Sequence, residues 1–562
     1  MSTTLTEAPP AAPTKPKAED RRIFPTLDAD ELELVRRDAR VQHLADGELA
    51  FRAGEADIDF LVVESGGLSV LNPTDGDAVI VTHGPGHFVG DIDLLTRRPV
   101  IFSARAEGPT TVLRLPGAKL RHLLNTVPKL SEKVLVAFQV RRQRLGEKGV
   151  AGARVIGPAA CRETTEAREF LYRNFVPFVW TDTASDDGKR RMAEFGPGTK
   201  TPVIDCGPGR ILKHPSLHAL AECVGIWQGC PTETFDLAVV GAGPAGMSAA
   251  VYAASEGLKV CVLDRLGPGG QAAGSSRIEN FIGFPSGLTG TDLATRAVLQ
   301  MYKFGSHLSV PMEVLSLEPG ENDDEPHQLR LNCGASLKAF TVLVATGVKW
   351  RKLDVPGAAR FERAGVYYAC TRVEVEGHQG TDVCVVGGGN SAGQAAMYLA
   401  EHCATVVHVL VRGKNLASSM SEYLAARLRD TPNIRLHFET CVAEVFGDRR
   451  ITGVDVEPRG GGERTRIPCS AVFVFVGSDP HIEWLQDHVA TDDKGFVLTG
   501  SEMERAGAWP LKDRGPCPLE TSIPRVMAAG DVRAGSTKRV GFAVGDGSLA
   551  CTCTHTLRTL RA

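Results

Sequence analysis

A chain of 562 residues exceeds the ~250–300 at which a single core stops growing, so several domains are expected. With 43% hydrophobic and 23% charged residues it reads as ordinary globular protein; no apolar run approaches the ~20 residues of a membrane-spanning helix, and a net charge of −4 gives no global attraction for nucleic acid or an acidic bilayer. The fourteen cysteines show no CxxC pair and no metal-ligand spacing, which argues against a disulfide framework or a metal centre and for a reducing cytoplasm.

Residues 1–22 are rich in Pro, Ala, Thr and charge and lack an apolar h-region, so they are expected to be a disordered tail rather than an export signal. Residues 23–150 change character. Short alternating runs at Phe60–Leu71, Ala78–His83, Ile101–Ala106 and Thr111–Leu115, broken by Gly, Pro and Asp, predict an all-β roll. Helices are expected over Gly117–Asn125 and Pro128–Leu145. This pattern, with PGHFVGDIDLLTRRPVIFSARA, resembles the cyclic-nucleotide-binding domain family. That family uses a Gly-Glu pair for the ribose and an Arg for the cyclic phosphate; the matching positions here are Gly90, Asp91 and Val100. Without the Arg the bidentate grip on phosphate is gone, so the fold is expected without tight cyclic nucleotide binding. Arg97, Arg98 and Arg105 lie nearby and read as solvated charges.

Residues 151–228 predict a small α/β unit: strands at Arg154–Ile156, Phe178–Thr181 and after Thr201, with helices at Thr164–Asn174, Asp187–Phe195 and Pro215–Val224. The order, with TPVI at Thr201–Ile204, resembles a thioredoxin or glutaredoxin fold, whose proline is normally cis. Where that family carries CxxC this chain has a lone Cys161, at a helix start whose dipole would lower a thiol pKa. A scaffold domain is the preferred reading over a monothiol. Residues 226–234 read as a linker.

The stretch from Asp236 to Pro285 organises the rest. An apolar run, Leu237–Val240, feeds into GAGPAG, then an Ala-rich helix, then a second run, Lys259–Leu263, ending at Asp264. Gly241 permits the tight turn, Gly243 lets backbone approach a pyrophosphate and Gly246 lets helix pack on strand, with Pro244 and Ala245 opening the helix toward the phosphates. Asp264 is placed to accept from a ribose hydroxyl. A second such unit begins at Asp382–Val386 with GGGNSA, containing Gly387, Gly389, Asn390, Ser391 and Ala392. Its partner strand, Val406–Val411, ends in Arg412-Gly413-Lys414, and basic residues there suit a 2′-phosphate, which favours NADPH over NADH.

From Phe235 onward the chain resembles the low-molecular-weight thioredoxin reductases. The resemblance rests further on Gly269, Gly270 and Gln271, on Ile278–Asn280, on Ala345–Gly347, and on TSIPRVMAAGD ending in Gly530 and Asp531. It implies an FAD-binding domain in two parts (235–360 and 478–562) around an NAD(P)H-binding domain (361–477), two Rossmann-like halves, and a homodimer. It implies FAD contacts from Gln271, Asn280, Ala345, Gly347 and Asp531, and from the backbone at Lys538, Arg539 and Val540, whose donors would stabilise reduced flavin. It also implies a domain rotation hinged near 356–365 and 477–480.

One departure is decisive for function. Where the family places CxxC, the stretch Gly365–Gly377 holds only Cys370, and a dithiol relay needs both an attacking and a resolving sulfur. Three readings stay open: an NADPH-dependent FAD oxidoreductase passing electrons to an external acceptor such as ferredoxin or quinone; a disulfide reductase rebuilt from Cys370, Cys161 or other cysteines; and a flavin-bearing redox sensor or scaffold. Cys551-Thr-Cys553 points apart on a helix and reads as two helix residues. Tyr367 and Tyr368 are read equally as flavin-stacking or as ordinary core.

Overall fold

In the computed structural model, residues 22–147, 152–207, 209–275, 277–417, 419–485 and 488–559 are described. The expected tail falls almost wholly outside them. The chain forms two compact units, Met1–Leu145 and Gly146–Ala562.

The first unit is an antiparallel roll. Its sheet runs Arg40–Leu44, Ser103–Leu115, Phe60–Asn72, Ala78–His83, with Leu49–Phe51 and Phe88–Val89 on its flanks. The two runs expected at Ile101–Ala106 and Thr111–Leu115 are one strand of 13 residues. Its partner Phe60–Asn72 is equally long, and register shifts around Ser65 absorb the Gly108-Pro109 interruption that reads locally as a turn. Helices Gly117–Thr126 and Pro128–Glu147 come next, the second docking Phe138 edge-on against Phe88 at 6.2 Å.

The second unit begins with a four-stranded sheet in the order Ile211–Lys213, Val203–Asp205, Ala153–Ile156, Phe178–Thr181. Ala153–Ile156 and Phe178–Thr181 are parallel, joined through helix Arg162–Arg173; the other pairings are antiparallel. Thr201–Pro202 is cis. The exposed edge strand Ile211–Lys213 is too short to leave a periodic signal. Contrary to the expectation of free thiols, Cys206 is bonded to Cys223 and Cys230 to Cys333.

The next sheet has seven strands in the order His307–Ser309, Val260–Leu263, Thr234–Val240, Ser336–Val344, His327–Leu331, Val314–Glu318, with Val526–Ala528 paired to Ser336–Val344. The strands Thr234–Val240 and Val260–Leu263 are nearly continuous apolar runs because helices Pro244–Ser255, Gly290–Phe304 and Val540–Thr559 cover what their sheet would otherwise expose. Inserted into this domain is a five-stranded, all-parallel sheet: Val366–Tyr367, Ala471–Val474, Thr381–Val386, Ala404–Val411, Ile434–Phe438. A three-stranded antiparallel sheet, Thr440–Gly447 to Thr465–Pro468, extends it. The chain enters and leaves this inserted domain through one antiparallel ribbon, Val348–Trp350 against Ser478–Pro480. Among the described residues no helix is long and apolar enough to cross a membrane.

Candidate functional site

Both glycine loops open into one cleft of about 1020 Å³, at the top of the range for small-molecule sites. The first loop is shaped by close approach. Gly241 sits at φ +108°, and a Cβ there would run into the Ala345 carbonyl oxygen. Helix Pro244–Ser255 starts at once, so its unpaired N–H groups and positive end face the cleft. Asp264 closes the loop: one carboxylate oxygen accepts from Ala242 N at 2.8 Å, the other from Leu266 N and Gly267 N at 2.9 and 2.8 Å.

Of the sequence-derived candidates on this side, Gly241, Gly243, Pro244, Ala245, Asp264, Gly270, Gln271, Asn280, Ala345, Gly347, Gly530, Asp531, Lys538, Arg539 and Val540 line the cleft. Gly246 and Gly269 lie behind it; Gly269 donates its N–H to Ala242 O at 2.8 Å and fixes one loop on the other. Gln271 donates its side-chain amide to Val348 O, at the ribbon. Burial raises the Asp531 carboxyl against the pull of Lys538, and burial lowers the Lys538 amine. Lys538 in turn donates to Ser478 Oγ at 2.9 Å.

On the nucleotide side, Gly389, Asn390, Ser391 and Ala392 line the same cleft, whereas Gly387, Arg412 and Lys414 do not. Gly387 plays the part of Gly241: at φ +139°, a Cβ on it would meet the Phe475 carbonyl oxygen. Asn390 Oδ1 accepts from Ser421 N at 2.8 Å, and Ser419 donates to Gly388 O at 2.8 Å, so the loop is braced from outside. Arg412 and Lys414 are exposed.

A dinucleotide fits this set. The cradle is bare backbone where phosphates would press, and Thr346 Oγ1 lines the cleft buried and without a hydrogen-bond partner, as a group awaiting a ligand would be. Sequence reasoning missed Trp350, Arg351, Lys494 and Phe496, which also line it. They come from the ribbon and from loops that carry no motif.

The thiol side is otherwise. Cys370 is 3% exposed in an apolar cluster with Tyr367, Val375, Ala392 and Leu399, its thiol directed at Ala395 O at 3.9 Å. Burial, with the Glu374 carboxylate, pushes that thiol well up. Cys370 is therefore a core residue, not a nucleophile. The reason lies next to it: Thr371 and Glu374 form a capping box that turns Arg372–Val375 into a helix and drives Cys370 inward. Tyr367 packs on Phe473 at 5.3 Å and shares a hydrogen bond with His378 at 3.2 Å, and Tyr368 accepts from Leu353 N at 3.0 Å, so the stacking role is not what the structure shows. Neither lines the cleft, and no cysteine is among the described lining residues. Cys161 does cap helix Arg162–Arg173, but burial raises its pKa and its thiol donates to Glu163 at 3.2 Å, against the lowering expected of a helix dipole.

In the first unit, Asp91 and Asp93 converge on Arg142 at 2.8 and 2.7 Å. Arg141 donates to Gly90 O at 2.6 Å and stacks on Phe88 at 4.6 Å. The carboxylate at the ribose position is thus already paired. Val100 and Arg98 are both 8% exposed, which corrects the solvated reading for Arg98; Arg97 and Arg105 pair with Asp57 and Glu107 at the surface.

Residues 235–547 match the family model for Pyridine nucleotide-disulphide oxidoreductase, and residues 41–127 that for Cyclic nucleotide-binding domain. An alkyl hydroperoxide reductase subunit of Pseudomonas putida is 33% identical over 336 residues, covering 58% of this chain and 59% of that protein. NADH dehydrogenase of Bacillus subtilis (strain 168) is 31% identical over 347 residues, 61% of this chain and 62% of that one. The chain thus spans about three fifths of the length of these relatives. Thioredoxin reductase of T. acidophilum superposes with a TM-score of 0.52 at 28% identity, and that of Lactococcus lactis in the FR conformation with 0.51 at 27%. Each covers 58% of this chain and 99% or more of its own.

Proposed function

The chain belongs to the pyridine nucleotide-disulphide oxidoreductase family; we propose that it is a thioredoxin-reductase-like, NAD(P)H-dependent oxidoreductase that uses FAD and delivers electrons to an acceptor outside its own chain rather than through a dithiol beside the flavin. The burial of Cys370 in the core carries this reading. A thiol that is 3% exposed, held protonated and without a second cysteine in Gly365–Gly377 cannot exchange disulfides.

Bound FAD would supply a two-electron carrier for hydride drawn from the nicotinamide. The chain's part is position and electrostatics. The first glycine loop and the start of helix Pro244–Ser255 would take the pyrophosphate, Asp531 the ribityl chain, and the backbone at Lys538–Val540 the pyrimidine carbonyls. The second loop would seat the nicotinamide nucleotide. Arg412 and Lys414, exposed at its rim, favour NADPH, while the relative described as NADH dehydrogenase supports NADH; the ratio of kcat/KM for the two decides.

Anaerobic NADPH titration of the yellow protein, followed by turnover with ferredoxin, quinone, oxygen or thioredoxin, tests the proposal. Turnover with a non-thiol acceptor that survives Cys370→Ala is expected. Thioredoxin reduction that is abolished by Cys370→Ala would reverse it. A second reading is favoured by one observation: the Cys206–Cys223 disulfide sits in the small α/β unit, which resembles thioredoxin in strand order. Alkylation of both cysteines after NADPH reduction, and not before, would make that disulfide the acceptor. For the β-roll we propose no tight cyclic nucleotide binding, supported by Val100 and by the Asp91–Arg142 pair. Calorimetry of the full chain with cyclic AMP and cyclic GMP checks it, and micromolar binding would overturn it.

A further inference from the structure

Helix Arg162–Arg173 of the small α/β unit reaches both nucleotide domains. At its C-terminal end Arg173 donates to Gly270 O at 2.7 Å, and Asn174, fully buried, donates to Leu266 O at 2.8 Å. Tyr172 shares a hydrogen bond with Thr291 at 2.8 Å. The first two contacts hold the loop after Asp264, and the third holds the start of helix Gly290–Phe304. A Cβ on Gly270 would lie 2.8 Å from Gly243 Cα, so the backbone Arg173 grips is packed on the phosphate cradle itself.

One turn earlier, the same helix holds the inserted domain. Arg168, stacked 4.0 Å over Trp180, pairs with Glu376 at 2.7 Å. Glu169 joins the two sets. One of its oxygens takes Arg173 at 2.9 Å, and the other takes Arg363, at the entry to the inserted domain, at 3.0 Å. Burial works against the charge of Glu169, yet Arg173 and Arg363 hold its carboxyl below the ordinary range. Such buried pairs add little net stability, but each member left alone is costly, so their geometry is firmly specified.

We propose that the small α/β unit is a working part of the flavin site: Arg173, held by Glu169, is a positioning residue for the Gly269–Gln271 loop, and Glu169 couples that loop to the orientation of the nucleotide domain through Arg363. No electron is required to pass through this unit; it sets the shape of the cradle. The inference rests on the family's use of FAD and is independent of which acceptor is used.

The test uses the full-length holoprotein. Arg173→Met keeps the aliphatic stem and removes the fork; Arg173→Lys restores a donor; Glu169→Gln loosens both ends. Expected for Arg173→Met is FAD dissociation faster by about tenfold, the scale of one charge-assisted hydrogen bond, with an altered visible circular dichroism band of the flavin and partial recovery in Arg173→Lys. Arg363→Met should leave FAD retention near wild type and raise KM for NADPH more than it lowers kcat. Arg190→Met, on an exposed helix of the same unit, serves as the control and should change nothing. Wild-type FAD retention and an unchanged flavin band in both Arg173→Met and Glu169→Gln would overturn the proposal. Should Arg173→Met fail to fold, Glu169→Gln decides by the same two readouts. A wild-type protein that binds no flavin would instead sink the cofactor assignment.

Discussion

At the first glycine loop a Cβ on Gly241 would meet the carbonyl oxygen of Ala345; at the second, a Cβ on Gly387 would meet that of Phe475. The backbone solution is the same, but the side chains beyond each second strand differ. Asp264 turns inward and spends both oxygens on three backbone N–H groups, whereas Arg412 and Lys414 stand in solvent. Under the function proposed above, the braced first loop would suit a resident group and the second, with its exposed cations, a nucleotide that must come and go. Glycine geometry belongs to the fold, and the residues after the strand set the use.

The most damaging way to break the comparison is Gly241→Val, which at φ +108° forces backbone out of the way. We expect purified protein to lose bound flavin, with affinity down by at least about a hundredfold, read from the ratio of visible to ultraviolet absorbance. Gly387→Val should do the complementary thing: a yellow protein whose KM for NADPH rises by roughly 10–100-fold. If both variants lose flavin, the two loops are not separable in the way proposed.

The specificity difference is tested more gently by Arg412→Glu with Lys414→Glu. Loss of one or two charge-assisted contacts to a 2′-phosphate should move the NADPH/NADH ratio of kcat/KM by roughly tenfold or more toward NADH. An unchanged ratio would place the discriminating residues elsewhere. The smallest effect is expected from Cys370→Ala, which should leave dye turnover within about twofold and lower stability by about 1 kcal/mol, as for a small core truncation.

The glycine loops were legible in the sequence because their constraint is backbone geometry, which few residues can meet, and it leaves a spaced pattern beside apolar runs. Cys370 was legible as a position but not as an environment. Alignment with a missing CxxC says where a sulfur falls along the chain, while the Thr371–Glu374 capping box and the packing of Val375 and Leu399 decide that it faces the core. The disulfides were hidden for a related reason: Cys206–Cys223 and Cys230–Cys333 join positions 17 and 103 residues apart, with no local spacing to read. Arg351 and Phe496 were hidden because a cleft wall built at a chain crossing belongs to no motif. The helix Arg162–Arg173 was read correctly as a helix, but its charged positions gave no sign that they face other domains.

The ribbon of Val348–Trp350 and Ser478–Pro480 has a further consequence. Its antiparallel pairing brings the two ends of the inserted nucleotide domain to within about 5 Å of each other, the spacing a two-residue turn can bridge. The insert is thus a cassette: evolution could graft it into the host sheet, or an engineer could excise it, with a single short splice. The remainder would be a lone flavin carrier, still served by the helix from the small α/β unit, and open to whatever reductant was offered in place of the lost module.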